Sequence, residues 1–133
     1  MLFTNHYELS IDHKHRISLP AEIRQEFLQK IIYFQKQKDS LFGYLYHEKH
    51  IQQIYTSLHS PLQPSFNLEQ TIFQIQQPFE PLHIDNIGRI NLRCETPSNK
   101  VYLMGAGQYL ILYLNNKEEF EKEFSYIKEN KKV

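Results

Sequence analysis

Apolar and polar residues alternate at the start of this chain. Tyr7, Leu9 and Ile11 occupy every second position, which predicts a half-buried β-strand. A five-residue polar turn interrupts the alternation after Ile11, and Ile17 resumes it. The chain is therefore expected to begin with two short strands joined by a tight turn, and the same pattern returns at 82–92.

Helical and strand patterns share the rest of the chain. Helices are predicted where apolar residues recur at spacings of three and four, and hairpins where two β-favouring runs flank a short polar loop. Pro20 ends the second strand and suits the first turn of a helix. In chain order the further predicted elements are a helix over 21–28 that buries Ile23, Phe27 and Leu28, a hairpin of 31–35 with 41–46, a helix from about 48 to 58, a helix over 67–79, a hairpin of 100–104 with 109–114, and a final helix that Asn116 caps and in which Phe120, Phe124 and Ile127 line one face.

The first turn recurs 73 positions further on. The run Ile11-Asp-His-Lys-His-Arg-Ile17 matches Ile84-Asp-Asn-Ile-Gly-Arg-Ile90, with Asp and Arg at the same spacing inside the same apolar frame. Beyond the turns the halves match at an offset of 69, as in Tyr44 with Tyr113. Two copies in one frame indicate an internal duplication.

The duplication predicts an α+β protein made of two units. The first unit covers 1–60, a connecting helical segment covers 61–80, and the second unit covers 81–133. A unit of about 50 residues with four short strands is barely large enough to form a core alone. Pairing two units would bury both sheets, so we expect a pseudo-dimeric, β-rich body with interleaved strands and flanking helices.

Composition restricts the class of function. Hydrophobic residues make up 41% of the 133 positions, and the formal net charge is zero, which argues against a strong diffuse field for nucleic acid but allows a local basic patch. The single cysteine, Cys94, cannot form an intramolecular disulfide, which fits a reducing cytosol. We see no apolar run long enough to cross a membrane and no signal peptide, so a cytoplasmic protein is expected.

A local basic patch lies in the first turn. His13, Lys14, His15 and Arg16 place four potential donors between two strands. Arg16 suits a bidentate contact with a guanine edge or a phosphate, Lys14 suits a phosphate, and the histidines would add charge when protonated. The alternative is a solvated turn in which Asp12 pairs with Arg16 only to fix the loop.

Arg89 is the matching candidate in the second turn, whose other central positions carry no charge. For Arg89 a DNA contact and a purely structural role are equally open. Arg24 is expected to be a surface charge of its helix or a subunit contact.

These turns resemble the repeated Asp-x-x-Gly-Arg motif of the MraZ family of bacterial transcription regulators and, more broadly, the tandem SpoVT-AbrB-like swapped-hairpin proteins. The second copy, 85–89, has the full motif, whereas His15 replaces the glycine in the first. His is among the better-tolerated residues where φ is positive. The segment 16–24 is similar to the family's sequence after the first motif, and 100–107 is similar to its second-half strand and glycine turn.

The resemblance implies a sequence-specific, DNA-binding transcriptional regulator of the division and cell-wall gene cluster. Such a protein would form a homo-oligomeric ring, an octamer or a dodecamer, and bind short direct repeats in double-stranded promoter DNA in the nucleoid. The implied fold is two AbrB-like swapped-hairpin units that build a double-psi-type β-barrel, with no catalysis, cofactor, metal, membrane partner or small-molecule substrate. The implied DNA-binding residues are His13, Lys14, His15, Arg16 and Arg89, and the implied structural residues of the motif are Asp12, Pro20, Asp85 and Gly88.

Three other classes of function are compatible with parts of this sequence. His47 and His50, at i and i+3, could hold zinc or nickel weakly, but no cysteine pair or acidic third ligand lies at a recognised spacing. An enzyme is not expected, since the chain has no Ser/His/Asp signature and no phosphate-binding glycine loop. The strongest alternative is a protein-interaction or antitoxin-like scaffold module of AbrB-like fold that does not read DNA specifically.

Overall fold

The computed structural model describes residues 2–59 and 79–124, with the backbone alone over 54–59. The predicted helix over 67–79, apart from its last residue, and Ile127 lie outside the described residues. The described helices are α1 (Ala21–Arg24), α2 (Glu48–His59) and α3 (Lys117–Glu123). The described strands are β1 (His6–Ser10), β2 (Arg16–Ser18), β3 (Ile31–Lys36), β4 (Phe42–Tyr46), β5 (Glu80–His83), β6 (Arg89–Asn91), β7 (Lys100–Gly105) and β8 (Tyr109–Tyr113).

Six of these strands form one antiparallel sheet, in the order β1-β7-β8-β4-β3-β5. Strand β1 of the first unit pairs with β7 of the second unit, and β5 of the second unit pairs with β3 of the first. The equivalent strands β4 and β8 pair at the centre of the sheet. The units therefore exchange their first strands about an approximate two-fold axis, which confirms the α+β class and the predicted interleaving.

The other two strands form a separate two-stranded ribbon. Strand β2 pairs antiparallel with β6, and Ile17 lies opposite Ile90, its own counterpart in the repeat. Both isoleucines are fully buried and belong to the main hydrophobic core. The inward face of the ribbon is therefore fixed against the sheet, and the approximate two-fold axis passes through this pair.

The sheet is covered differently on its two faces. Leu103 and Leu112 are fully buried in the same core as the ribbon isoleucines. Their strand neighbours Tyr102 and Tyr113 point to the opposite face, because successive side chains of a strand alternate. There Phe120 of α3 packs against both tyrosine rings, with centroids 5.2 and 5.5 Å away. The acidic helix α3 and the ribbon therefore lie on opposite sides of the sheet.

The two hairpins correspond to one another, but not at the predicted offset throughout. Tyr113 pairs across its hairpin with Tyr102, as Tyr46 pairs with Tyr33. The counterpart of Tyr113 is therefore Tyr46, and the predicted match with Tyr44 is wrong by two positions. The reason is the loop between β7 and β8, which is two residues shorter than the loop between β3 and β4.

The first predicted helix is shorter than its apolar pattern suggests. Helix α1 makes about one turn and ends at Arg24. Ile23 and Phe27 are buried as predicted, but Leu28 is 87% exposed. The chain leaves the helix through turns and reverses at Lys30, whose φ is 58°, so Leu28 no longer shares a face with the two buried residues.

The remaining predicted elements agree with the structure. Both hairpins and α2 are present, and the side chain of Asn116 caps α3 by accepting a hydrogen bond from the Glu119 N–H at 2.8 Å. The described strands form a sheet and a ribbon but no closed barrel, so the double-psi arrangement stays a prediction. Among the described residues, none of the helices has the length and apolar character needed to cross a membrane.

Candidate nucleic-acid interface

The first turn is organised around the carboxylate of Asp12. Its Oδ1 accepts hydrogen bonds from the backbone N–H groups of Lys14 and Arg16, both at 2.9 Å. Its Oδ2 accepts a third hydrogen bond from Nε of Arg16 at 2.8 Å. An Asp that starts a turn commonly bonds to backbone two residues on, and here the same side chain also fixes the arginine. Asp12 therefore holds both the backbone of the turn and the orientation of its guanidinium group.

The second turn has the same set of bonds. Asp85 Oδ1 accepts from the backbone N–H groups of Ile87 at 3.1 Å and Arg89 at 2.8 Å, and Oδ2 accepts from Arg89 Nε at 2.8 Å. The duplication seen in the sequence is therefore a duplication of the bonding pattern. In both turns the aspartate occupies Nε and leaves the two terminal nitrogens of the arginine without a hydrogen-bond partner among the described residues.

The turns are linked through the ends of the ribbon. The carbonyl of His15 accepts from the Leu92 N–H, and the carbonyl of Gly88 accepts from the Leu19 N–H, both at 2.9 Å. These bonds extend the β2–β6 ladder by one step at each end. Each turn is thereby anchored on the other unit, so the ribbon and its two turns form one continuous structure.

Hydrogen bonding also sets the charge of the two aspartates. The bond from the Arg16 backbone N–H is the largest cause that lowers the pKa of Asp12, and with the guanidinium bond and the Lys14 N–H it brings that pKa to about 2. The same bonds from Arg89 and Ile87 lower the pKa of Asp85. Both carboxylates are therefore ionised at neutral pH, and each arginine is held by a full negative charge.

The outward face of the ribbon carries both arginines. Arg16 lies opposite Asn91, and Ser18 lies opposite Arg89. Since the buried isoleucines between them point inward, these four side chains share the outward face. The arginines occupy diagonal positions, where Cα atoms in such a ladder are roughly 7–8 Å apart. The fold thus brings together two residues that are 73 positions apart in the chain.

The predicted site residues of the first turn have unequal exposure. His13 and Lys14 are exposed, whereas His15 and Arg16 are half-buried. His15 stands where the second turn has glycine and has the left-handed backbone that this position requires, with φ of 62°. The exposed side chains of His13 and Lys14 flank the ribbon at the Arg16 end.

Pro20 and Gly88, two of the residues expected to be structural, have the local geometry expected of them. Pro20 precedes α1, and its carbonyl accepts from the N–H groups of Ile23 and Arg24, both at 3.0 Å. Gly88 has a φ of 86°. A Cβ atom at Gly88 would lie 2.3 Å from Cδ of Arg24, so the left-handed backbone favours glycine and any side chain here would displace Arg24.

Arg24 is a feature of this surface that the sequence did not reveal. It projects from α1 of the first unit across the turn of the second unit, and its Nη1 donates to the Ile87 carbonyl at 3.3 Å. The second turn therefore has two neighbouring guanidinium groups, its own Arg89 and Arg24. No local pattern signals this contact, because the two residues meet only after the strands have been exchanged. Ser18 and Asn91 also lie on this face, and the only signal for them in the sequence is their spacing of two from each arginine.

His47 and His50, the pair considered for metal binding, make contacts with neighbouring residues instead. Nδ1 of His47 accepts a hydrogen bond from the Lys49 N–H at 3.1 Å. His50 stacks on Tyr46, with ring centroids 5.3 Å apart and planes 3° from parallel, and its Nδ1 is buried without a hydrogen-bond partner. The described part of the chain holds no group of three or more His, Cys, Asp or Glu residues placed to bind a metal ion.

Comparison with known proteins does not assign this chain to a family. No protein-family model matches the chain, and no curated protein matches it. The geometry of the ribbon and its turns is therefore the basis for inferring function.

Proposed function

We propose that this chain is a sequence-specific, DNA-binding transcriptional regulator similar to the MraZ family. In this proposal the ribbon enters the major groove, where Arg16 and Arg89 contact guanine edges or phosphates. The observation that carries the proposal is the outward face of the ribbon, on which each arginine is held by its own aspartate through Nε. A two-stranded ribbon fits the major groove, and paired arginine donors match O6 and N7 of guanine.

The way each arginine is held supports this role. A guanidinium has five N–H donors, and the aspartate uses only the one at Nε. The terminal nitrogens remain for a bidentate contact, and fixing the side chain beforehand reduces the entropy lost on binding. The side chains of Arg16 and Arg89 are 25% and 27% exposed, so a partner can reach them from the outward face of the ribbon.

The surroundings of the ribbon also support a polyanionic partner. Lys14 and His13 lie exposed at one end, and Arg24 lies exposed at the other. The acidic residues of α3 lie on the far side of the sheet, away from this face. A protein with zero net charge can thus present a cationic surface to phosphates.

Assembly and biological context follow from the resemblance. We propose a ring, an octamer or a dodecamer, that presents several ribbons to short direct repeats in promoter DNA of the division and cell-wall gene cluster. Weak individual sites would then add through effective concentration. We further propose that the exchanged strands belong to AbrB-like swapped-hairpin units of the double-psi type, in the cytoplasm and associated with the nucleoid.

A gel-shift titration with duplex DNA from upstream of the protein's own gene tests this function. We expect the full-length protein to bind with an affinity that falls steeply as salt rises, because phosphate contacts release counterions. Arg16→Ala should abolish specific binding, and Arg89→Ala should weaken it. Arg16→Lys should not restore it, since lysine cannot form the bidentate contact.

The matched control is Lys122→Ala, which also removes one positive charge but lies on α3, on the opposite side of the sheet. This variant should bind like the unmodified protein, and size-exclusion chromatography should show the same assembly for all variants. Retention of full affinity by Arg16→Ala, or binding that does not respond to salt, would favour the interaction-module alternative instead.

A further inference from the structure

The two-fold relation within the ribbon is broken at one pair of outward positions. The residue 73 positions after Arg16 is also an arginine, Arg89. The residue 73 positions after Ser18 is not a serine but Asn91. All four residues lie on the outward face. The ribbon therefore offers a partner two identical guanidinium groups and two different polar neighbours.

Each arginine has one of these neighbours directly across the ribbon. Asn91 is the cross-strand partner of Arg16, and Ser18 is the cross-strand partner of Arg89. Directly opposite side chains have Cβ atoms roughly 4.5–5.5 Å apart, so a base contacted by one arginine lies beside the neighbour of that arginine. Both Ser18 and Asn91 are exposed.

The two neighbours offer different hydrogen-bonding groups. Asn91 Oδ1 accepts a hydrogen bond from the Arg93 N–H at 2.8 Å, which fixes its carboxamide. The same oxygen keeps a second lone pair, and Nδ2 keeps two donors. Ser18 offers only a hydroxyl group, on an exposed side chain. A carboxamide pairs with N6 and N7 of adenine, whereas a serine hydroxyl accepts either kind of base edge.

We infer that Asn91 and Ser18 are specificity-determining residues that make the DNA site of one subunit a near-palindrome rather than a palindrome. This inference rests on the proposed function. Each half of the site contains one guanine, and the two guanines lie on opposite strands, because Arg16 and Arg89 occupy equivalent positions of the ribbon and are each held through Nε. The base pair beside the Arg16 guanine is selected for adenine by Asn91, while the equivalent pair beside the Arg89 guanine is selected weakly by Ser18. The difference gives each subunit a direction on the DNA.

Selection of bound duplexes from a random-sequence pool tests this inference with the full-length protein. Unmodified protein should enrich a site with one guanine on each strand and an adenine preference on one side only. Asn91→Ser should lower that preference on the order of tenfold, the usual loss for one bidentate base contact. Ser18→Asn should create an adenine preference on the other side, and the Ser18→Asn/Asn91→Ser exchange should reverse the orientation of the selected site.

The Asn91→Asp variant is the control for an effect of altered local structure. Its carboxylate still accepts the Arg93 N–H, but it loses the amide donors, so the preference should move from adenine toward cytosine, whose N4 donates. An adenine preference that survives both Asn91→Ser and Asn91→Asp, while Arg16→Ala abolishes binding, would overturn the role of Asn91 and leave the DNA-binding function standing. Failure of the unmodified protein to enrich any sequence would overturn both.

Discussion

His15 and Gly88 have the same left-handed backbone conformation, with φ of 62° and 86°, although only one of them is glycine. Each residue offers its carbonyl to the other unit at the same place in the ribbon. The bonds made by Asp12 and Asp85 are also the same in the two turns. The turn geometry is therefore imposed by the aspartate and the ribbon, and His15 adopts a conformation that most side chains avoid.

Replacing His15 with glycine should stabilise the protein. A side chain in the left-handed region costs about 1–2 kcal/mol, and part of that gain is lost because glycine is more flexible when unfolded. We expect His15→Gly to raise the free energy of unfolding by about 0.5–1 kcal/mol in urea titrations. His13→Gly, at an exposed position of the same turn, is the control and should give no increase.

Replacing Gly88 with alanine should destabilise the protein. The new Cβ would meet Arg24 at 2.3 Å while the backbone stays in the left-handed region, so we expect a loss of about 1–3 kcal/mol in the same titrations. Gly107→Ala provides a matched control, because Gly107 has a φ of 85° and nothing lies within 4 Å of a Cβ there.

The difference between these two variants isolates the contact with Arg24. Gly88→Ala should cost more than Gly107→Ala, and the double variant Gly88→Ala/Arg24→Ala should recover part of the excess. Equal losses for the two glycine variants would show that Arg24 moves aside freely.

Acid should destabilise the fold partly through Asp12. Its pKa is about 2 in the folded protein and 3.8 in the unfolded chain, so its contribution is complete above pH 3.8 and is lost as the pH falls through about 2. Asp12→Asn should therefore lose less stability between pH 4.5 and pH 2 than the unmodified protein does. Glu95→Gln, at an exposed carboxylate, should leave the slope unchanged. Parallel curves for Asp12→Asn and the unmodified protein would contradict this account.

Stability should also fall below neutral pH through His50. Burial of the ring, which stacks on Tyr46, lowers the pKa of His50 from 6.5, and a hydrogen bond with the Gln108 side chain opposes this shift only in part. The unfolded chain then takes up the proton first, so this contribution is present above pH 6.5 and decreases as the pH falls toward the folded pKa. His50→Phe, which keeps the stacking, should show a smaller loss of thermal stability between pH 7.5 and pH 5 than the unmodified protein. His83→Phe is the control at an exposed position, and its curve should follow the unmodified one.

Most of the fold could be predicted because it depends on local patterns and on one repeat. Alternation located the strands, and the cap at Asn116 located the last helix. The matched turns at 12–16 and 85–89 predicted interleaved strands, and the pairing of β1 with β7 and of β5 with β3 confirms the interleaving. The turn bonds were predictable for the same reason, since an aspartate at the start of a turn acts on its own neighbours.

What could not be predicted depends on contacts between distant segments. The position of Leu28 required knowing where α1 ends, and helix ends depend on the surrounding packing as much as on periodicity. The place of Arg24 beside Ile87 required the three-dimensional arrangement of both units. The shared face of Arg16 and Arg89 required the pairing of β2 with β6, which no spacing along the chain reveals.

The exchange of first strands has a consequence for the order in which the protein folds during synthesis. His6 pairs with Met104, so β1 leaves the ribosome long before its partner strand exists. Until β7 and β8 have been made, the first unit has an unpaired strand edge and an incomplete core. Pairings between such distant segments form slowly and leave aggregation-prone edges exposed. The nascent chain is therefore expected to fold late, after β8 has been translated at residue 113 of 133, and to expose its unpaired edges to chaperones until then.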